Sequence, residues 1–234
     1  MNELTERLLS RGAVLVGCAD LSALPAETRG GLPFGVCFAV GLDPHVVAAI
    51  AEGPTVEYKH EYERANALID ELAGAAAALL RQAGHRVIAR PATDDQLDPD
   101  LTPHPLPHKT VATLAGLGWI GKCGLLVTEE HGSAVRLGSV LTDAPLTAAE
   151  PVTADRCGQC TVCVDVCPGG APTGRSWRPG IPREEIIDAH ACRDAMRETA
   201  ERLGHSICGR CIATCPRTRR YLARRGAIPA GPDR

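Results

Sequence analysis

The stretch Cys157-Gly-Gln-Cys160-Thr-Val-Cys163-Val-Asp-Val-Cys167-Pro168 puts four thiols on one short segment closed by a proline. Thiols spaced by two, two and three residues turn towards a common centre, the arrangement that wraps a four-iron, four-sulfur (4Fe–4S) cluster. The fourth thiol of such a run usually ligates a second cluster, so the run predicts a partner motif. Cys208-Gly-Arg-Cys211-Ile-Ala-Thr-Cys215-Pro216 repeats the theme, and Cys192 upstream supplies the further thiol a second cluster needs.

Zinc is the competing metal. Structural zinc sites pair two short motifs across a spacer, whereas four thiols packed into one run overfill a single tetrahedral ion, and the repeated Cys-Pro ending has no role there. In the pattern of bacterial-type two-cluster ferredoxins the ligands interleave. That resemblance implies Cys157, Cys160, Cys163 and Cys215 for one cluster and Cys167, Cys192, Cys208 and Cys211 for the other. The remaining cysteines, Cys18, Cys37 and Cys123, sit among apolar residues and read as small buried hydrophobes.

The cluster motifs occupy only the last third of the 234 residues, leaving a domain of about 150 residues ahead of them. The expected division is 1–150 as an α/β cofactor or substrate domain, 151–225 as a double-cluster, ferredoxin-like domain, and 226–234 as a tail. Periodicity predicts helices around 4–9, 44–50, 58–83 and 108–115, and strands at 13–19, 34–40, 85–90, 124–128 and 134–141, the last two joined as a hairpin through Glu129 to Gly132. Residues 91–107, rich in Asp and Pro, read as a long loop. Helices are expected over 183–203, carrying Cys192, and over 211–223. The fold class is α+β: an N-terminal mixed sheet with flanking helices, then the small cluster domain.

A net charge of -3 and 3% aromatic residues speak against nucleic acid as the default partner, DNA included. The N-terminus lacks a basic, apolar leader and no apolar stretch approaches the roughly 20 residues of a membrane span, so a cytoplasmic protein is expected. Cysteine-rich motifs in that reducing compartment read as metal ligands rather than disulfides.

Gly116-x-Gly118-x-x-Gly121 matches the dinucleotide fingerprint as a string. It follows a helix and opens a strand, the reverse of the required order, so its glycines serve close packing against the sheet or a flat ligand. Asp94, Asp95, Asp98, Asp100, His104, His108 and Lys109 form a polar loop and helix start. Arg217, Arg219, Arg220, Arg224 and Arg225 form the exposed face of a terminal helix.

From His108-Lys-Thr-Val-Ala-Thr-Leu-Ala-Gly-Leu-Gly-Trp-Ile-Gly-Lys122, through Val135-Arg-Leu-Gly-Ser-Val-Leu-Thr-Asp-Ala-Pro-Leu146, to both cysteine motifs, the chain resembles the epoxyqueuosine reductases. The resemblance implies a cobalamin-binding α/β domain related to nitroreductases and reductive dehalogenases. It also implies two 4Fe–4S clusters feeding electrons to cobalt, and removal of an epoxide oxygen from a modified tRNA base. Gly116, Gly118, Trp119, Gly121 and Lys122 would then line the corrinoid. The family's catalytic acid falls near Thr102, where Asp100 or His104 would have to substitute. Because the family's tRNA-holding helical repeats have no counterpart in this sequence, a small-molecule substrate is expected ahead of tRNA, with an external donor such as flavodoxin or ferredoxin supplying electrons. The competing class is a non-catalytic electron-transfer module serving a partner enzyme, for which the first 150 residues would be superfluous.

Overall fold

The computed structural model describes residues 2–92, 101 and 104–230. Within it a four-stranded sheet and a two-stranded ribbon are accompanied by short and long helices. The packing groups the residues into two units that interleave along the chain rather than parting at one cut. The first unit holds residues 1–41, 64–118 and 136–152, and the second holds 42–63, 119–135 and 153–234.

The four-stranded sheet runs in the order β1-β2-β6-β3, with β1 at Leu15–Asp20, β2 at Phe34–Gly41, β3 at Val87–Arg90 and β6 at Val135–Thr142. β1 and β2 are antiparallel, Val16 opposite Phe38, and β3 and β6 are antiparallel, Val87 opposite Thr142. β2 is buried at nearly every position, which is why Phe34 to Val40 reads as a continuous apolar run rather than an alternating one. Val36, Phe38, Val111, Val140 and Leu141 belong to the first unit's core, joined by Ile69 and Leu72 from the long helix α3, Val56–Gln82. Gly84, at φ +87°, ends that helix as its sequence position predicts. The short α4, His108–Leu114, follows at the far side of the loop.

In the second unit Asp43 caps α2, Pro44–Ala48, accepting from the backbone N–H of His45 and Val46 at 2.8 and 3.1 Å. The predicted 124–141 hairpin does not form. Trp119–Ile120 (β4) pairs antiparallel with Leu126–Val127 (β5), the turn closes between Thr128 and Gly132, and β6 joins the larger sheet. Gly121 and Gly124 let the chain reverse there, with Gly121 N–H donating to Leu125 O at 2.9 Å.

The helices around the cysteines are also shorter than their periodicity suggests. The expected 183–203 helix is a 3-10 turn at Arg183–Glu185, then α6 at Ala189–Asp194 and α7 at Arg197–Leu203. Asp188 interrupts it by accepting from Ala191 N–H at 2.9 Å, an N-cap bond that competes with a continuous helix. The expected 211–223 helix is α8, Arg210–Ala213, followed by α9, Pro216–Arg224. Pro216, lacking an N–H, fits only at the start of a new helix. No helix among the described residues is long and apolar enough to cross a membrane.

Candidate iron–sulfur site

All eight motif cysteines lie in the second unit, each partly buried. Cys157 to Cys160 form a turn, with Cys160 N–H donating to Cys157 O at 3.1 Å, and α5, Val162–Asp165, carries Cys163. Cys167 follows and accepts from Ala171 N–H at 3.4 Å. Cys192 sits on α6, Cys211 on α8, and Cys215 caps α9.

The thiols sense one another in two groups. Burial pushes the Cys157 thiol up; the Lys122 backbone N–H and the Trp119 indole N–H pull it down, and the charge of Cys163 adds to the rise. Burial likewise raises Cys215, the backbone N–H groups of Thr218 and Arg217 in the first turn of α9 oppose it, and Cys157 raises it further. Burial raises Cys192, and the neighbouring thiols are Cys167 and Cys208. Thus Cys157, Cys163 and Cys215 interact, and so do Cys167, Cys192 and Cys208. Sulfur donors gathered this way suit iron–sulfur chemistry, in which the thiolates surround a cluster rather than one ion. Among the described residues no three His, Cys, Asp or Glu side chains converge as a site for a single ion.

The glycine-rich segment packs on the first of these groups. Trp119 is 1% exposed, its Nε1 has no hydrogen-bond partner among the described residues, and its indole helps pull the Cys157 thiol down. The Arg156 and Arg217 guanidinium carbons lie 5.6 and 5.5 Å from the Trp119 ring centroid, and both arginines pair with Glu129 at 2.8 Å. A Cβ on Gly121 would stand 2.7 Å from Val127 and in ordinary contact, 3.4 Å, with Cys157 Sγ, so it is the packing on Val127 that favours glycine. The buried Lys122 donates from Nζ to Gly158 O at 2.7 Å. Trp119, Gly121 and Lys122, expected at a corrinoid, therefore have the cysteine loop as their neighbour. Gly116, at φ +72° in the first unit, faces Glu150 O, 3.0 Å from where a Cβ would be.

Cys123 is a further buried thiol of the second unit. Buried as expected, its thiol feels Cys163, which pulls its pKa down, and Cys211 and burial, which together push it up. Cys18 and Cys37 are buried in the first unit, where burial pushes the Cys37 thiol up to about 12.

Of the two proposed acids, Asp100 lies outside the described residues. His104 is exposed; its Nδ1 accepts from Leu106 N–H at 2.9 Å, and the Arg90 guanidinium lies 3.0 Å from the ring. His108 is bound more tightly, with Nε2 2.9 Å from Pro91 O and Nδ1 2.8 Å from Ser139 Oγ. A cavity of about 320 Å³ in the first unit is lined by Thr5, Glu6, Val16, Gly17, Cys18 and residues 147–149. That is the lower end of the range for small-molecule pockets.

No protein-family model matches the chain. Curated epoxyqueuosine reductases do: that of Vibrio cholerae is 33% identical over 123 residues, 48% of this chain and 31% of the relative, and that of Bacillus anthracis 31% identical over 124 residues, 49% and 30%. The match thus spans about a third of the relatives' own length. Among solved structures, an epoxyqueuosine reductase with an epoxyqueuosine-modified tRNA-Tyr stem loop aligns over 93% of this chain and 65% of its own, at TM-score 0.62 and 20% identity. The reductive dehalogenase NpRdhA aligns over 92% of this chain and 32% of its own, at TM-score 0.69 and 20% identity.

The expectation of a small molecule ahead of tRNA is corrected here, because an epoxyqueuosine reductase that aligns over 93% of this chain was solved with a tRNA stem loop. Net charge and aromatic content are averages over a chain and do not report a local binding surface. The mixed α/β architecture agrees with both groups of neighbours. By sequence over about half its length and by fold over nearly all of it, this chain is similar to the epoxyqueuosine reductases.

Proposed function

We propose that this protein is an iron–sulfur reductase that removes the epoxide oxygen of an epoxyqueuosine-modified tRNA. Removing that oxygen as water breaks two C–O bonds and consumes two electrons and two protons, so the protein must deliver electrons singly and twice. Two 4Fe–4S clusters would do so, one held by Cys157, Cys160, Cys163 and Cys215 and the other by Cys167, Cys192, Cys208 and Cys211. The observation that carries this reading is the pairing of thiols across the chain: Cys215 with Cys157, and Cys192 with Cys167 and Cys208. These pairings fall within the two interleaved sets.

A corrinoid, implied by the resemblance and by the B12-dependent dehalogenation named for one structural relative, would supply the bond-breaking chemistry at the epoxide. The residues of this chain hold the electron route. Lys122 pins the loop between Cys157 and Cys160 through Gly158 O, Trp119 lies beside Cys157, and α9 presents backbone N–H groups to Cys215. Asp100 and His104 are the proton donors to be tested.

The test incubates anaerobically purified protein with a low-potential reductant, cob(II)alamin and an epoxyqueuosine-containing tRNA stem loop. The nucleoside should lose one oxygen by mass spectrometry, and the cobalt EPR spectrum should change on binding. An unmodified nucleoside together with the spectrum of free cob(II)alamin would overturn the assignment.

A further inference from the structure

Trp119 carries a buried donor that nothing in its own unit accepts. Its Nε1 is closed off from solvent and has no hydrogen-bond partner among the described residues, and an indole N–H can only donate. Buried polar groups are hydrogen-bonded almost without exception, so this N–H is built for an acceptor that the described residues do not provide. The ribbon fixes the side on which that acceptor belongs. Trp119 stands directly opposite Val127, so the two side chains share one face of β4 and β5. Gly121 extends the pairing through its N–H to Leu125 O, and its Cβ position, two residues on from Trp119 and 2.7 Å from Val127 Cγ2, lies on that same face. Cys157 Sγ stands there too, 3.4 Å from the Gly121 Cβ position. The indole is also gripped by the neighbours of two predicted ligands. Arg156, the residue before Cys157, and Arg217, two after Cys215, put their guanidinium carbons 5.6 and 5.5 Å from the ring centroid, and Glu129 pairs with both.

We propose that the Trp119 indole N–H donates to a sulfur of the cluster held by Cys157, Cys160, Cys163 and Cys215, and so sets the reduction potential of that cluster. This rests on the two-cluster reading above. Cluster sulfurs are the acceptors that belong on the face shared by Trp119, Val127 and Cys157, and they become more electron-rich when the cluster takes up an electron. A donor aimed at them stabilises the reduced, more negative state over the oxidised one, and so raises the potential of the cluster that receives it. The indole makes no bond to iron and loses no proton during turnover. Its ring also keeps water from that side of the cluster, because Trp119 is buried.

The test compares Trp119→Phe and Trp177→Phe with the parent protein, each purified anaerobically, by iron and sulfide analysis and EPR-monitored redox titration. Pulsed EPR of the reduced proteins, grown with tryptophan carrying nitrogen-15 in the indole, reads the contact itself, since Trp119 and Trp177 are the two tryptophans of the chain. Trp119→Phe, which keeps an aromatic ring and loses the N–H, should retain about eight irons and move one cluster midpoint to a more negative potential while the other stays. The labelled parent should show a nitrogen coupling to a reduced cluster that survives in Trp177→Phe and vanishes in Trp119→Phe. Parent protein without iron would remove the two-cluster reading and this proposal with it. With both clusters present, absence of the coupling would overturn this proposal alone, and so would identical midpoints in iron-replete Trp119→Phe. If Trp119→Phe loses iron, the labelled Trp177→Phe protein decides: a coupling that persists there supports the proposal, and one that is lost overturns it.

Discussion

Lys122 Nζ donates to Gly158 O at 2.7 Å, tying the glycine-rich segment to the turn between the first two motif cysteines. Lys122 is 7% exposed, so this bond offsets part of the cost of burying its charge. Lys122→Met keeps the stem and removes the donor. A buried hydrogen bond to a charged group contributes about 1.5–3 kcal/mol, and its loss should loosen the Cys157 turn. Iron release to a chelator should therefore be faster in Lys122→Met, and from one cluster more than the other. Equal release rates would show that the lysine merely fills space.

Gly132 stands at φ +57° in the turn that closes on Thr128, and a Cβ there would fall 2.2 Å from Thr218 N and 2.5 Å from Thr218 Cα. Thr218 also accepts from Ser133 N–H at 3.0 Å and lies in the first turns of α9. Backbone strain and overlap add, so Gly132→Ala should destabilise the protein by about 3 kcal/mol or more, measured by urea unfolding. A change under about 1 kcal/mol would mean that α9 can move aside at little cost.

His108 is held neutral. Burial pulls its pKa down to about 4 from 6.5 against the opposing effect of the Pro91 carbonyl, and the charges of Arg90, Arg136 and His104 add to the fall. With Nε2–H donating to Pro91 O, Nδ1 accepts from the Ser139 hydroxyl. As pH falls, the unfolded chain takes up this proton first, so stability is lost from about 6.5 down to about 4 and no further. His108→Gln should flatten that limb by on the order of 1–3 kcal/mol in unfolding measurements. An unchanged pH dependence would exclude the residue as its source.

Cys192 tests the second ligand set. It lies on α6, and its thiol feels Cys167 and Cys208. Cys192→Ala should lower the iron content by up to half, while Cys18→Ala, altering a buried thiol of the other unit, should leave it intact. Full iron in Cys192→Ala would show that a helix residue had been mistaken for a ligand.

Much of this architecture was legible in the chain. The apolar run at Phe34 to Val40, the Asp43-Pro44 helix start and the Gly84 stop each have a local physical cause that survives in the fold. What escaped was decided by competition between local and distant bonds. Asp188 spends its carboxylate on a cap and breaks a helix that its periodicity supports, and Pro216 does the same through its missing N–H. Strand β6 pairs with β3, distant in sequence, and not with β5, which no local pattern could reveal. That the Cys123 thiol feels Cys163 and Cys211 was hidden, because apolar neighbours in sequence give the same signal whether a buried thiol faces leucines or other thiols.

The central claim is that the eight motif cysteines hold two 4Fe–4S clusters, and metal analysis of anaerobically purified protein tests it most directly. About eight irons and eight acid-labile sulfides per chain, with an EPR signal on reduction, are the predicted result. Two zinc ions with no labile sulfide would contradict it.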